Sequence, residues 1–249
     1  MIERSLITFI TAGDPDKNAT LEFLFALERY SDVIELGIPF SDPMADGRAI
    51  QKANYRALKA GTKIKDVFEI VKSFREYSEK PILLMTYYNP VYVRGVERFV
   101  EDARRSGVDG MIVVDLPLEE ANDYLQACRE YEMHTVFLAA PNTSEDRLRA
   151  IDEVSSFIYL VSTYGVTGAR EKVSTIAFDA LRGAKEVCRK PVAVGFGISK
   201  PEHVRQLIDA RADGVVVGSA IVEIIEKYGE DATDKIEEKV REFKLAVRR

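Results

Sequence analysis

VIELGIPFSDPMADG, Val33 to Gly47, opens as a short apolar run broken by one acid, Glu35, and continues as a Gly/Pro/Asp loop carrying Asp42 and Asp46. The opening residues read as a buried strand, and Glu35, between Ile34 and Leu36, occupies a place that an apolar side chain could fill. Burying a carboxyl group costs several kcal/mol unless something answers it. One answer is chemistry: burial raises the pKa, so the group can hold a proton at neutral pH and give it up. The other is structural, a carboxylate satisfied by backbone N–H groups or a basic neighbour.

Outward from this stretch the chain repeats a beat of strand and helix. Apolar runs bounded by turn residues fall at Ser5–Thr11, Val33–Gly37, Pro81–Tyr87, Gly110–Asp115, Thr135–Ala140, Phe157–Ser162, Val192–Gly197 and Gly214–Gly218. They are short, rich in Ile and Val and nearly continuous in hydrophobicity, which is how parallel strands covered on both faces read. Amphipathic helices fill the intervals, among them Ala19–Tyr30 and Ile64–Tyr77. Thr62, Ser144 and Ser199 stand where helix N-caps are expected, the last just ahead of Pro201. Eight strands each followed by helix predict an α/β fold, a single-domain (β/α)8 TIM barrel spanning 1–249. An extra helix after strand 2, Ala49–Ala60, and a charged C-terminal helix, Asp231–Arg248, complete it. The rival is an open doubly wound sheet. Against it, TAGDP at Thr11–Pro15 is not a GxGxxG turn, and no Walker A lysine follows a strand.

Composition narrows the function. The 249 residues are 46% apolar, enough for a sizeable core, with no apolar run long enough to span a membrane and no secretory leader pattern. A cytoplasmic protein is expected, with no membrane partner. A net charge of −6 argues against a nucleic-acid surface. Cys128 and Cys188 lie in helix-like patterns without partners at metal-ligand spacing, and read as helix-face residues.

A barrel's active site forms at the C-terminal ends of its strands. Glu35, Tyr87, Asp115, Ser162 and Gly195–Gly197 fall at those ends. His134 begins strand 5, His203 lies within a helix, and Lys80 and Lys190 precede strands, which leaves no lysine placed for Schiff-base chemistry. No metal is expected, since Asp42, Asp46 and Asp115 without histidine make at best a hard Mg2+ site. Carboxyl groups remain to carry protons. In the second half, glycines gather where an anion needs backbone N–H groups: Gly165 and Gly168 after strand 6, Gly195 and Gly197 ending strand 7, and Gly218–Ser219 before the helical piece Ala220–Ile225. Each alone reads as a turn, and together they read as a phosphate site. Phe196 between its glycines is either a core residue or a wall for a flat ring.

Taken with FITAGDP at Phe9–Pro15, YYNPV at Tyr87–Val91, DLP at Asp115–Pro117, YLVSTYGVTG at Tyr159–Gly168, GFGIS at Gly195–Ser199 and GSAIV at Gly218–Val222, the sequence resembles the tryptophan synthase alpha subunit family over nearly its whole length. The resemblance implies retro-aldol cleavage of indole-3-glycerol phosphate to indole and glyceraldehyde 3-phosphate. It places the acid-base glutamate on Glu35 and the indole-anchoring aspartate on Asp46. The substrate-binding aromatics fall on Phe9, Tyr87, Tyr159 and Phe196, and the phosphate-binding backbone on Gly168, Gly197, Gly218 and Ser219. It implies no cofactor in this chain, and a tryptophan synthase beta subunit as partner in an alpha-beta-beta-alpha complex, with pyridoxal phosphate (PLP) in that partner and indole passed through a tunnel. Two positions depart from the family pattern: Arg48 stands where proline is usual, and Thr163 where many members have arginine.

Two other readings stay open on the residues alone. Another phosphosugar barrel is one, although cyclase-type chemistry calls for a strand-end lysine that is missing here. A non-enzymatic activating partner is the other, although a scaffold has no reason to bury Glu35. After strands 2 and 3, Pro39–Asp46 and Asn89–Tyr92 offer apolar and turn residues that on their own read as ordinary irregular loops, and with the family resemblance as a docking surface.

Overall fold

Alternate residues of a strand point to opposite faces, so a strand buried on both must be apolar throughout. The computed structural model describes residues 2–161, 175–195 and 197–248. Its strands are β1 (Ser5–Thr11), β2 (Val33–Gly37), β3 (Ile82–Thr86), β4 (Gly110–Val113), β5 (His134–Ala139), β6 (Ile158–Val161), β7 (Val192–Gly195) and β8 (Gly214–Val217). All pairings are parallel and follow chain order, with β8 closing on β1. Ile7, Val33, Leu83, Ile112, Val136 and Val216 pack into one cluster along the axis, while Leu6, Ile34, Leu84, Met111 and Val215 pack outward against helices. This is the expected eight-stranded barrel.

Around it lie α1 (Lys17–Glu28), α2 (Arg48–Lys59), α3 (Ile64–Arg75), α4 (Tyr88–Arg94), α5 (Val96–Arg105), α6 (Asn122–Glu130), α7 (Glu145–Val154), α8 (Thr175–Val187), α9 (Pro201–Asp209), α10 (Ser219–Tyr228) and α11 (Thr233–Arg248). The extra helix after strand 2 is α2. The C-terminal helix is α11, which packs against α1 and α9. No described helix is long and apolar enough to cross a membrane.

Three local expectations need correction. Lys63, not Thr62, is the N-cap of α3, where the Asp66 carboxylate accepts the Lys63 N–H at 2.8 Å. Thr62 instead packs against Gly13, which has φ +80° and no room for a Cβ. At α9 the cap is Lys200, because Pro201 supplies the first helical φ and leaves Ser199 one residue outside. Asn89–Tyr92 is helical, inside α4. The Asp115 carboxylate accepts the Tyr88 N–H at 2.6 Å and satisfies a first-turn amide that otherwise lacks a partner. Ser144 caps α7 as expected, accepting the Arg147 N–H at 3.4 Å.

At the bottom of the barrel, side chains clip alternate joints. Asp32, ahead of β2, accepts the Leu6 N–H of β1 at 2.7 Å. Asp109, ahead of β4, does the same for Ile82 of β3 at 2.8 Å, and Asp213, ahead of β8, for Val192 of β7 at 2.7 Å. The hydroxyl of Ser155 takes this part for Phe137 of β5 at 3.1 Å. Each aspartate is also held by a cation, Lys244, Arg75 and Lys185 respectively. With the lower end fixed in this way, the loops above can be irregular.

Candidate active site

At the strand-end face a cavity of about 380 Å³ brings together Glu35, Asp46, Phe9, Tyr159, Gly197, Gly218 and Ser219. Glu35 comes from β2, in register with Phe9 of β1 and Leu83 of β3. It shares strand parity with Val33, so its side chain turns to the barrel axis. Its side chain is fully buried, and neither carboxyl oxygen has a hydrogen-bond partner among the described residues. Desolvation alone pushes its pKa from 4.5 up to about 8.

Asp46 arrives by a different route, on the loop between β2 and α2. Its N–H donates to the Pro43 carbonyl at 3.1 Å, and its own carbonyl accepts from Gln51 Nε2 at 2.8 Å. Burial pushes its carboxyl up from 3.8 to about 6, against the opposing hydrogen bonds of Tyr87 and Asn54. At pH 7 the two acids are therefore in opposite states. Glu35 holds its proton and Asp46 is mostly ionised, an arrangement suited to one proton donor and one fixed negative charge.

The aromatic residues divide. Phe9 and Tyr159 are buried in the cavity wall, and each depends on a glycine: a Cβ on Gly37 would stand 2.7 Å from Phe9 Cζ, and one on Gly195 would stand 2.7 Å from Tyr159 Cε2. Burial, with Glu35 and Asp46 nearby, keeps the Tyr159 phenol neutral by raising its pKa. Tyr87 is not among the residues lining this cavity. Its ring stacks on Phe40 at 5.0 Å and 27°, and its hydroxyl accepts the Ala45 N–H at 3.0 Å beside Asp46. Phe196, Gly168 and Thr163 lie outside the described residues.

Gly197 has φ +60°, a conformation that favours glycine, and Gly218 precedes the first turn of α10, where Ser219 begins the helix. Among the described residues, Arg147 is the only lysine or arginine that lines the cavity, and Glu119 holds it at 2.5 and 3.1 Å. The cavity therefore offers an anion helix-terminal N–H groups more readily than free cations. Asp115, expected at a strand end, is there, with one carboxyl oxygen committed to the start of α4.

Asn54 escaped the sequence reading. It sits with Ala53 and Ala57 on the buried face of α2, where its amide accepts the Phe40 N–H at 2.8 Å and donates to the Ile50 carbonyl at 2.9 Å and Asp46 Oδ2 at 3.5 Å. The available signal was an amide on an otherwise small apolar helix face. Asp14 and Arg56 were also missed. Their paired contacts at 2.7 Å tie α2 to the loop after β1.

Comparison with known proteins agrees with this architecture. The family model described as tryptophan synthase alpha chain matches residues 2–248. The tryptophan synthase alpha chain of Archaeoglobus fulgidus is 61% identical over 237 residues, covering 95% of each chain, and that of Pyrococcus abyssi is 56% identical over 240 residues, covering 96% of this chain and 97% of its own. A chain in the structure of the tryptophan synthase a2b2 complex from Pyrococcus furiosus superposes with a TM-score of 0.94 at 56% identity, covering 97% of this chain and 98% of that one. The chain belongs to the tryptophan synthase alpha chain family.

Proposed function

We propose that residues 1–249 act as one catalytic domain that cleaves indole-3-glycerol phosphate to indole and glyceraldehyde 3-phosphate, as the alpha subunit of a cytoplasmic tryptophan synthase. The observation that carries this is the pair of carboxyl groups facing one cavity, one of them fully buried with no polar partner among the described residues.

The bond to be broken joins indole C3 to a hydroxyl-bearing glycerol carbon. Glu35 in its acid form protonates C3, and the positive charge that develops on the indole nitrogen is balanced by the Asp46 carboxylate, which also accepts the ring N–H. Glu35, now a carboxylate, removes the proton of the glycerol hydroxyl. That oxygen becomes the aldehyde carbonyl as the C–C bond breaks, and the bond's electrons restore the indole ring. Phe9 and Tyr159 flank the ring, a part that the family resemblance also gives to Phe196. Backbone N–H groups at Gly197, Gly218 and Ser219 hold the phosphate, with the α10 N-terminus behind them, and the family resemblance adds Gly168 to this set.

The partner in this reading is a PLP-bearing beta subunit in an alpha-beta-beta-alpha complex, docked over Pro39–Asp46 and α4. Support for that face comes from Met44, Tyr92 and Val93, apolar or aromatic and 86%, 67% and 76% exposed. Docking there would seat the loop that carries Asp46 and so couple assembly to rate.

The test is to follow indole release from indole-3-glycerol phosphate by the purified chain, with and without the beta partner, for the native sequence and Glu35→Gln. The substitution should cost at least about 100-fold in turnover, the lower range for general acid-base catalysis. Near-native turnover would remove Glu35 from the mechanism.

A further inference from the structure

We infer that Tyr87 and Asn54 are positioning residues for the cleavage, together fixing the loop that carries the Asp46 carboxylate and acting through it without touching substrate. The inference rests on the role proposed above for Asp46. It departs from the expectation, drawn from family resemblance, that Tyr87 binds substrate.

The loop from Ile38 to Gly47 has no regular secondary structure, so its course depends on individual bonds. Two side chains from outside it supply them at both ends. Asn54 accepts the Phe40 N–H at 2.8 Å near the start, and the Tyr87 hydroxyl accepts the Ala45 N–H at 3.0 Å near the finish. The same two groups also bear on Asp46: the Asn54 amide reaches Oδ2 at 3.5 Å, and the Tyr87 hydroxyl, held beside the carboxyl group by its contact with Ala45, acts to lower its pKa. A hydroxyl that accepts the Ala45 N–H keeps its own O–H available to donate to a neighbouring carboxylate. Asn54 is anchored in turn by the Ile50 carbonyl at 2.9 Å within α2.

The ring of Tyr87 is in the wrong place for a substrate wall. It stacks on Phe40, and the space it lines, shared with Phe9, Thr11, Asp46 and Asn54, is about 10 Å³, too small for any organic ligand. Both residues are buried, with 6% and 4% of their surface exposed, and Tyr87 follows β3 directly while Asn54 lies within α2. The support therefore comes from regular elements of the barrel, which the loop itself lacks.

The test uses the full chain with its beta partner and measures kcat, KM and the pH profile of kcat/KM for Tyr87→Phe, Asn54→Ser, Asp46→Asn and the Tyr87→Phe/Asp46→Asn double variant, each checked for folding by its unfolding midpoint. The groups facing Asp46 among the described residues are Tyr87 and Asn54, with Tyr159 close by, Glu35 in the same cavity, and Asp115 near Tyr87. Losing the Tyr87 donor removes a bond to the ionised carboxylate, so the acid limb should move to higher pH. kcat should fall roughly 10- to 100-fold, the span expected for a hydrogen bond to a charged group, with KM little changed. In the Asp46→Asn background Tyr87→Phe should add almost nothing.

A rise in KM with kcat intact would make Tyr87 a substrate contact and overturn the inference, as would full additivity in the double variant or a stationary acid limb. If Asp46→Asn itself leaves cleavage unchanged, the role of Asp46 fails first, and that outcome is separate. Should Tyr87→Phe not fold, Asn54→Ser carries the same comparison, and an unmoved kcat and acid limb there overturns the inference.

Discussion

Gly195 and Tyr159 share one space: a methyl group added to Gly195 of β7 would lie 2.7 Å from Cε2 and 2.9 Å from the hydroxyl oxygen of Tyr159 on β6. No real Cβ sits that close to a ring edge, so any side chain at 195 must drive the ring from its place in the cavity wall. Gly195→Ala should destabilise the barrel by about 1–3 kcal/mol, the usual cost of overpacking, and raise KM for indole-3-glycerol phosphate. Tyr159→Leu in the same chain should recover part of the stability. Urea unfolding and steady-state kinetics would show it, and an unaltered midpoint and KM in Gly195→Ala would mean that the ring has room to move.

The buried acid gives a pH signature to folding itself. Glu35 has a pKa of about 8 in the folded chain against an ordinary 4.5, so between those values the native state holds a proton that the unfolded state has released. Stability from this group is complete below the lower value and lost as pH rises toward the upper one, with no further change beyond. Asp46, at about 6 against 3.8, acts with the same sign over a lower window. The folding equilibrium constant should drop by up to about tenfold per pH unit across the Glu35 window, and Glu35→Gln should flatten that slope. Urea midpoints for the two proteins at several pH values would decide it, with parallel curves counting against the assignment.

Asp46→Asn should keep the fold and lose most of the cleavage. An amide can accept the indole N–H yet cannot balance the positive charge that appears as C3 is protonated. Turnover should fall at least roughly tenfold, since a charge-assisted contact is being exchanged for a neutral one. Circular dichroism with an indole-release assay is sufficient, and unchanged turnover would eliminate the electrostatic role.

Removing one clip at the lower end should be felt as stability and not as catalysis. Asp109→Ala leaves the Ile82 N–H and the Arg75 guanidinium without their carboxylate, a loss of about 1–3 kcal/mol for buried or half-buried charged hydrogen bonds. The urea midpoint should fall while KM stays put. A shift in KM with stability intact would contradict this division between the two ends of the barrel.

How much of this was legible in the sequence depended on the kind of signal. The strands were readable because burial on both faces leaves few choices beyond Val, Ile, Leu and Gly, and Glu35 stood out against that background. Helix starts were less so. Thr62 and Ser199 have the chemistry of caps, yet Pro201 and the Lys63–Asp66 contact set the actual boundaries. The helix over Asn89–Tyr92 was hidden because its first-turn amide is satisfied by Asp115, a residue far along the chain. Asn54 and the Tyr87 hydroxyl were invisible for the same reason: their work is defined by partners that only the closed barrel brings near.

Glu35 also sets evolution and engineering at odds. A carboxyl group in the core, without a polar partner among the described residues, is a place where nearly any apolar replacement of similar size would raise the melting temperature. A library of variants screened for heat resistance alone, at slightly alkaline pH where the acid is most costly, would discard this side chain early and return a tougher barrel without its proposed proton carrier. On the role proposed above, the durability forgone at Glu35 is the cost of turnover.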